Sequence, residues 1–166
     1  SVTQIKDYMF ENISLKSVNI PKYVQLIGKR AFADNGNLNG IVLNIPASCI
    51  YIGSEAFSGC ASGIDSINVS PDNLYYDSRE NCNALIETRS NTFILGCEKS
   101  DIPSTVTSIG EGAFRSKYNF SELKYIDIPE NVTSIGNSAF ENCTGLKSIV
   151  IPSNVSTIGM NAFLGC

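Results

Sequence analysis

The stretch LKSIVIPSNVSTIGMNAFLGC, residues 146–166, decides how this chain folds. Its first part alternates apolar and polar residues, which is typical of a short β-strand with one buried face. Pro152 has no backbone N–H to donate and fixes its own φ, so a strand that reaches it must turn. The apolar residues that follow point inward, with Phe163 at the centre. We expect Gly159 to provide a corner with positive φ, which a side chain would obstruct.

The same order of residues recurs along the chain, and this repetition predicts the fold class. An Ile-Pro pair is followed by Val or Cys, then by Ile-Gly, and then by Ala-Phe. Five copies of the unit begin at Ile20, Ile45, Ile102, Ile128 and Ile151. A degenerate copy near the start keeps Val2, Ile5 and Phe10 in register. Such units stack into a solenoid, because no single unit can bury its apolar face alone.

The repeats predict a single solenoid domain over residues 1–166, with units that start near residues 1, 20, 45, 102, 128 and 151. Short parallel strands would stack in a curved, right-handed coil with little or no regular α-helix. One phenylalanine per unit would join a continuous central ladder, which we interpret as core and not as a ligand site. The ladder comprises Phe10, Phe32, Phe57, Phe114, Phe140 and Phe163.

Residues 70–101 interrupt the repeats. Two alternating stretches, 82–88 and 92–97, flank the polar turn at 89–91, and this pattern predicts one irregular β-hairpin inserted in the solenoid. With the turn centred on residues 89 and 90, Cys82 lies opposite Cys97, which leaves two alternatives open, a disulfide between them or two free thiols. A shift of one residue in the register would abolish the disulfide.

The six cysteines include no Cys-x-x-Cys pair, and the sequence has no histidine. The usual sulfur and nitrogen ligands of zinc are therefore missing, and we expect neither a metal site nor a cofactor. Cys60, Cys143 and Cys166 share one repeat position, which Asn35 occupies in another unit. A small buried side chain at a turn is the simplest interpretation of this position.

The charged residues argue against nucleic-acid binding. Twelve basic and sixteen acidic residues give a net charge of −4, and no basic cluster could neutralise a row of phosphates. No stretch approaches the roughly 18 to 20 apolar residues that span a bilayer, so we expect no membrane insertion. Without histidine the commonest catalytic base is absent. Carboxylate pairs (Asp72 with Asp77, Glu55 with Asp65) and a calcium loop at Asp72-Asn73 are weaker hypotheses than solvated acids.

Two kinds of surface are candidates for binding a partner. The outward residues of the predicted strands form a mildly polar face with one aromatic side chain. These strand residues are Ser17, Asn19, Gly40, Val42, Ser66, Asn68, Tyr125, Asp127, Ser148 and Val150. Other aromatic residues lie where the repeat is interrupted, where they would either anchor a partner or pack their own loops down. They are Tyr75, Tyr76, Tyr118 and Phe120.

The unit Leu-x-x-Ile-x-Ile-Pro-x-x-Val-x-x-Ile-Gly-x-x-Ala-Phe-x-x-Cys resembles the BspA-like class of leucine-rich repeats over nearly the whole chain, and residues 81–88 resemble an insert seen in that family. The resemblance implies a leucine-rich-repeat solenoid, and because the sequence contains no catalytic motif we expect no enzymatic activity. The resemblance also implies an exported protein, secreted or displayed on the cell surface, typically of a host-associated bacterium and sometimes of a parasitic protozoan. Such proteins are implicated in adhesion to host or matrix proteins.

Three functions follow as hypotheses. The first is a surface or secreted module that binds a protein, such as a host matrix protein, or a glycan. The second is a structural spacer within a larger surface protein, and the third is a carboxylate-based hydrolase. The chain stops soon after Phe163, before the strand that would complete its last coil. We therefore expect an excerpt of a longer protein or a covered end.

Overall fold

The computed structural model describes residues 1–36 and 38–166, which form a β-solenoid of about six turns. Two short 3₁₀ turns, Ala61–Gly63 and Arg79–Asn81, are the helical elements of this described part. None of its helices has the length and apolar character needed to cross a membrane. The strands are β1 Gln4–Ile5, β2 Leu26–Ile27, β3 Ile41–Ile45, β4 Tyr51–Ile52, β5 Ile64–Val69, β6 Tyr76–Asp77, β7 Leu85–Glu87, β8 Thr92–Leu95, β9 Ser108–Ile109, β10 Ser134–Ile135 and β11 Thr157–Ile158.

The strands form three sheets in which neighbouring coils pair in parallel, as the repeats predict. Strands β1, β2 and β4 form one sheet, and β3 pairs with β5 in another. The third sheet runs in the order β11-β10-β9-β8-β7-β6. Its pairing is parallel from β11 to β8 and antiparallel from β8 to β6.

The position of the strands within the repeat differs from the prediction in most coils. Pairing was expected before the proline, at residues 146–151 in the last unit. In the described chain only β3 and β5 pair there, with Ile45 opposite Val69. The other coils pair through the two residues that precede the glycine, and Gly159 N donates to Ile135 O at 2.8 Å. The backbones approach closely at these two residues because the glycine that follows has no Cβ to separate the coils.

Glycine is needed at these positions because the backbone of the neighbouring coil approaches closely, and not because φ is positive. The predicted positive-φ corner at Gly159 is therefore wrong. A Cβ on Gly159 would lie 2.4 Å from Asn137 N, and one on Gly53 would lie 2.5 Å from Lys29 N. Each coil instead reaches the left-handed region two residues later, where the chain turns toward the phenylalanine. The residues and their φ angles are Arg30 (49°), Glu55 (55°), Gly112 (64°), Ser138 (52°) and Asn161 (58°).

The predicted hairpin is confirmed. Strands β7 and β8 are antiparallel, with Ile86 opposite Phe93, and β6 adds a third antiparallel strand. A bulge between Leu85 and Ile86 then shifts the register, so that Leu85 faces Leu95. The hairpin occupies the place of a repeat within the solenoid, since β8 pairs in parallel with β9 of the next coil.

Of the two alternatives for Cys82 and Cys97, the structure shows the one without a disulfide, and both residues are free, buried thiols in the described structure. The bulge lies between the turn and the two cysteines, so it moves them out of opposition by one residue. Cys82 Sγ lies 3.7 Å from Ser78 Oγ, while Cys97 Sγ accepts a hydrogen bond from Asn83 Nδ2 at 3.2 Å. Burial raises the pKa of both thiols, which favours their neutral form.

The phenylalanine ladder forms two stacks and is not continuous. The first contains Phe10, Phe32 and Phe57, and the second contains Phe93, Phe114, Phe140 and Phe163. Centroids of neighbouring rings are 5.1 to 5.4 Å apart, and no stacked pair of described residues joins the two groups. The break falls at the hairpin, which supplies Leu85 to an N-terminal core and Ile86 to a C-terminal core. The insertion therefore divides the apolar interior in two.

Polar contacts on the phenylalanine side of the coils connect the two cores. Gly59 N donates to Arg115 O at 3.1 Å, and Lys117 N donates to Gly59 O at 3.1 Å. Arg115 also donates to Asp34 of the N-terminal half. Asp34 in turn binds Arg30 at 2.6 Å. The same arginine reaches Glu11 and Glu55 at 2.7 and 2.6 Å, so one charge network spans several coils.

The repeat position shared by cysteine and asparagine closes each phenylalanine turn. Cys60, Cys143 and Asn35 are buried there, whereas Cys166 is exposed in the last coil. Each side chain donates to the carbonyl of a phenylalanine one coil earlier, which agrees with a small residue at a turn. The bonds are Cys60 to Phe32 (3.2 Å), Cys143 to Phe114 (3.4 Å), Cys166 to Phe140 (3.1 Å) and Asn35 to Phe10 (2.7 Å).

Candidate binding surfaces

Tyr118 and Phe120, the two aromatic candidates of the expanded loop, lie in opposite environments. Tyr118 is about half exposed, and Lys117 Nζ lies 5.2 Å from the centroid of its ring. Phe120 is only 1% exposed and belongs to the C-terminal core, where its N–H donates to Asn142 O at 2.8 Å. The structure therefore corrects the expectation that Phe120 contacts a partner, because the loop folds this ring inward to complete the core.

Tyr75 and Tyr76 differ in the same way. The side chain of Tyr75 is about half exposed, whereas Tyr76 is buried at 2% exposure. Tyr76 Oη accepts a hydrogen bond from Ile52 N at 2.7 Å, and burial raises the pKa of this phenol. Tyr76 is thus a core residue and not a contact for a partner, since neighbouring residues of an extended chain point to opposite sides.

Tyr125 and Asp127 lie together at the rim of a groove between two coils. The groove has a volume of about 330 Å³, and the Tyr125 side chain is 68% exposed. Both residues line the groove, and the negative charge of Asp127 raises the pKa of the Tyr125 phenol. We call this feature the acidic groove and define it by Asp101, Ser104, Tyr125 and Asp127, above a floor of Ile126 and Pro129.

Of a second exposed surface, only Tyr75 was identified from the sequence. Asn73 Nδ2 donates to Cys49 O at 3.0 Å, and this bond holds residues 73–76 directly beside 49–52. The exposed side chains of these two segments therefore become neighbours. Leu74 is 82% exposed, more than any other large apolar side chain of the described residues. We call the surface the aromatic patch and define it by Ile50, Tyr51, Leu74 and Tyr75.

The positions equivalent to Ile50 and Tyr51 in the C-terminal coils carry serine or threonine. They are Thr107 and Ser108, Thr133 and Ser134, and Ser156 and Thr157. Their side chains bond to the neighbouring coil, as when Thr133 Oγ1 donates to Thr107 O at 3.2 Å. Ser108 and Ser134 hydroxyls also bond to each other at 2.8 Å. The repeat is therefore stable with small polar residues here, and the aromatic patch is not a requirement of the fold.

The sequence does contain a signal for the aromatic patch. Aligning the two residues before each Ile-Gly gives Ile50-Tyr51 in one unit and hydroxyl residues in the C-terminal units. From the sequence, the outward strand face was expected before the prolines, so its candidate residues did not include Ile50 and Tyr51. Leu74 and Tyr75 lie outside the repeat pattern, and their place beside Ile50 and Tyr51 follows only from the structure.

Three of the four carboxylates proposed as catalytic pairs are engaged in ion pairs, which leaves neither pair free. Glu55 binds Arg30 at 2.6 Å, Asp65 pairs with Lys99, and Asp77 binds Arg79 at 2.7 Å. Hydrogen bonds from Arg79 and Thr88 lower the pKa of Asp77 despite the opposing effect of its partial burial. Among the residues that the structure describes, no group of three or more His, Cys, Asp or Glu side chains could hold a metal ion.

Comparison with known families gives one match. The family described as BspA type leucine-rich repeat region matches in six copies, over residues 1–89 and 43–166. The chain belongs to this family. The earlier resemblance is thereby confirmed, and with it the solenoid. No protein of curated function matches the sequence significantly.

Solved structures of bacterial leucine-rich-repeat proteins share the fold of this BspA-type chain. A leucine-rich repeat protein from Eubacterium ventriosum is 28% identical with a TM-score of 0.75, over 93% of this chain and 40% of its own. A leucine-rich cell surface protein from Faecalibacterium prausnitzii is 26% identical with a TM-score of 0.71, over 100% and 49%. The pneumococcal vaccine antigen PcpA shares the fold at 17% identity and a TM-score of 0.70, over 94% and 50%. The BspA-type chain thus spans half or less of each of these structures.

Proposed function

We propose that this BspA-type chain is a non-catalytic binding module, secreted or displayed on a bacterial surface, that docks a protein through the aromatic patch. The observation that carries the proposal is the exposure of Ile50, Tyr51, Leu74 and Tyr75 on two adjacent segments. Tyrosine contributes large contact area at little entropic cost and is enriched where interfaces bind most strongly.

The composition of the patch favours a protein over a glycan as the partner. The aliphatic side chains of Ile50 and Leu74 gain by being covered with apolar protein surface, whereas a sugar would leave them unmatched. A host matrix protein is the class that we propose. The cell surface protein from Faecalibacterium prausnitzii supports the proposed location.

A spacer function is the second candidate, because the chain spans only 40 to 50% of the similar structures. A spacer does not require exposed aromatic side chains, and the hydroxyl residues at the same positions of other coils would serve it better. The aromatic patch therefore favours binding. A carboxylate hydrolase has less support, because Glu55, Asp65 and Asp77 each pair with a cation.

The test is capture of purified extracellular-matrix proteins, with a glycan array in parallel, by the immobilised chain. The patch variant is Tyr51→Ser/Tyr75→Ser, and the matched control is Thr107→Ala/Ser108→Ala on the equivalent positions of another coil. We expect saturable binding of a protein that the patch variant loses and the control retains. Binding retained by the patch variant would refute the site, and the absence of any protein ligand would favour the spacer.

A further inference from the structure

The acidic groove lies between the coil that carries Asp101 and the coil that carries Tyr125, and it shares no residue with the aromatic patch. Asp101 and Asp127 line it, and both are exposed. Neither forms an ion pair among the described residues, whereas five other acidic side chains bind arginines. The groove thus presents two uncompensated negative charges beside an exposed aromatic ring.

We propose that the acidic groove binds a basic side chain of the protein partner, with arginine preferred over lysine. A guanidinium group offers five N–H donors in a plane, which suits carboxylates on two sides of a groove. Its flat face also stacks on an aromatic ring such as Tyr125. The net charge of −4 attracts cations to the protein as a whole and adds to this preference.

Other ligands fit the groove less well. A metal ion would need more ligands, and no cluster of three suitable side chains occurs in the described residues. A sugar would stack on Tyr125 and donate hydroxyl hydrogen bonds to Asp101 and Asp127, but it is neutral and would leave both negative charges uncompensated. An anion would be repelled by both carboxylates. A cationic donor is therefore the ligand whose chemistry complements every polar group of the groove.

This inference rests on the proposed function in one respect, which is that the cation belongs to a protein. The two sites can be tested separately, because a small probe occupies the groove without covering the aromatic patch. Binding of the probe with no protein captured would support the groove and refute the module. Capture of a protein with no binding of the probe would support the binding module and refute the groove as a site for basic side chains.

The experiment is an NMR titration of the isotope-labelled chain with N-acetyl-arginine amide, compared with N-acetyl-lysine amide and uncharged N-acetyl-norleucine amide. We expect saturable shifts at the amides of residues 100–104 and 125–127, strongest with arginine. Asp127→Asn and Asp101→Asn should each weaken the apparent affinity about 5-fold or more, since each removes a charge-assisted hydrogen bond. Asp72→Asn, on an exposed acid outside the groove, should leave the affinity unchanged.

Salt gives an independent criterion. The affinity should fall as ionic strength rises from about 0.01 M to about 1 M, because the Debye length shortens from roughly 30 to 3 Å. Shifts that persist in Asp127→Asn, or equal shifts with norleucine amide, would overturn the proposal. Shifts at the same amides with oligosaccharides but not with arginine amide would overturn it in favour of a glycan site.

Discussion

Arg115 donates a hydrogen bond to the carboxylate of Asp34, which lies 81 residues earlier in the sequence. Both side chains are about one-fifth exposed, so water screens their interaction only in part. The pair crosses the boundary between the two apolar cores, where the phenylalanine stack is interrupted. It also shares Asp34 with Arg30, so a single carboxylate holds two guanidinium groups.

Replacing this carboxylate should weaken the junction. Asp34→Asn keeps the size of the side chain but leaves Arg30 and Arg115 with one fewer anion. We expect the free energy of unfolding to fall by about 1 to 3 kcal/mol, which is typical of hydrogen bonds to charged groups. Urea denaturation measures this change.

Asp65→Asn is the matched control, since Asp65 pairs with Lys99 at a site where both side chains are about half exposed or more. Exposed pairs contribute roughly 0 to 1 kcal/mol, so this variant should be nearly neutral. An equal fall in the free energy of unfolding of the two variants would contradict the claim that Asp34 stabilises the junction between the two cores.

The glycine before each turn should resist substitution. A Cβ at Gly53 would lie 2.5 Å from Lys29 N and 2.7 Å from Gly28 C, which are backbone atoms that cannot rotate away. We expect Gly53→Ala to destabilise the chain by about 1 to 3 kcal/mol or more, as overpacking does. Thermal unfolding should separate it from Ser54→Ala, an exposed neighbour that should change stability little. A neutral Gly53→Ala would show that the coils are not packed this closely.

The expanded loop provides a contrast between two aromatic residues only two positions apart. Phe120→Ala should cost about 3 to 5 kcal/mol, because it opens a cavity in the C-terminal core. Tyr118→Ala should be close to neutral, since its ring is about half exposed. Chemical denaturation of both variants gives the comparison. Similar losses in stability would mean that Tyr118 also belongs to the core, and it would then cease to be a candidate for binding.

The buried thiols predict an alkaline loss of stability. Burial raises the pKa of Cys49 to about 11 and that of Cys60 to about 12, above the ordinary value of 9.0. As the pH rises past 9, thiols of the unfolded chain ionise while those of the folded chain do not. Ionisation therefore stabilises the unfolded state relative to the folded state. The contribution of the thiols to the free energy of unfolding should therefore be level below about pH 8 and fall from about pH 9 toward 12.

Each thiol can contribute up to about 1.4 kcal/mol per pH unit over this range. Urea denaturation under reducing conditions at several pH values gives the slope, and Cys60→Ala should make it shallower even if the variant is less stable overall. An unchanged slope in Cys60→Ala would mean that Cys60 ionises as easily in the folded chain as in the unfolded one.

The repeat made the solenoid predictable from the sequence, because Ile-Pro, Ile-Gly and Ala-Phe recur at matching positions and only stacked coils can bury them. The hairpin was predictable for a similar reason, since its alternation flanks a polar turn. The bulge at Leu85 was not, because the consecutive apolar residues Ala84, Leu85 and Ile86 are compatible with more than one register. That bulge decides that Cys82 and Cys97 remain thiols.

The binding surfaces were harder to predict because they lie where the repeat is absent. Whether Tyr75 or Tyr76 faces outward depends on the register of a segment that follows no repeat, and the same holds for Tyr118 and Phe120. The continuous ladder predicted that Phe57 stacks on Phe114. In the structure Phe93 of the hairpin stacks on Phe114 instead. The repeat thus predicts the solenoid, whereas the orientation of side chains outside the repeat is known only from the structure.

Hydroxyl-radical footprinting of the chain, free and bound to a captured protein, tests the central proposal most directly. We expect the partner to reduce oxidation of Tyr51, Leu74 and Tyr75 and to leave Tyr8, an exposed tyrosine far from the patch in sequence, unchanged. Protection confined to other residues, with Tyr51 and Tyr75 oxidised as in the free chain, would contradict the assignment of the aromatic patch as the docking surface.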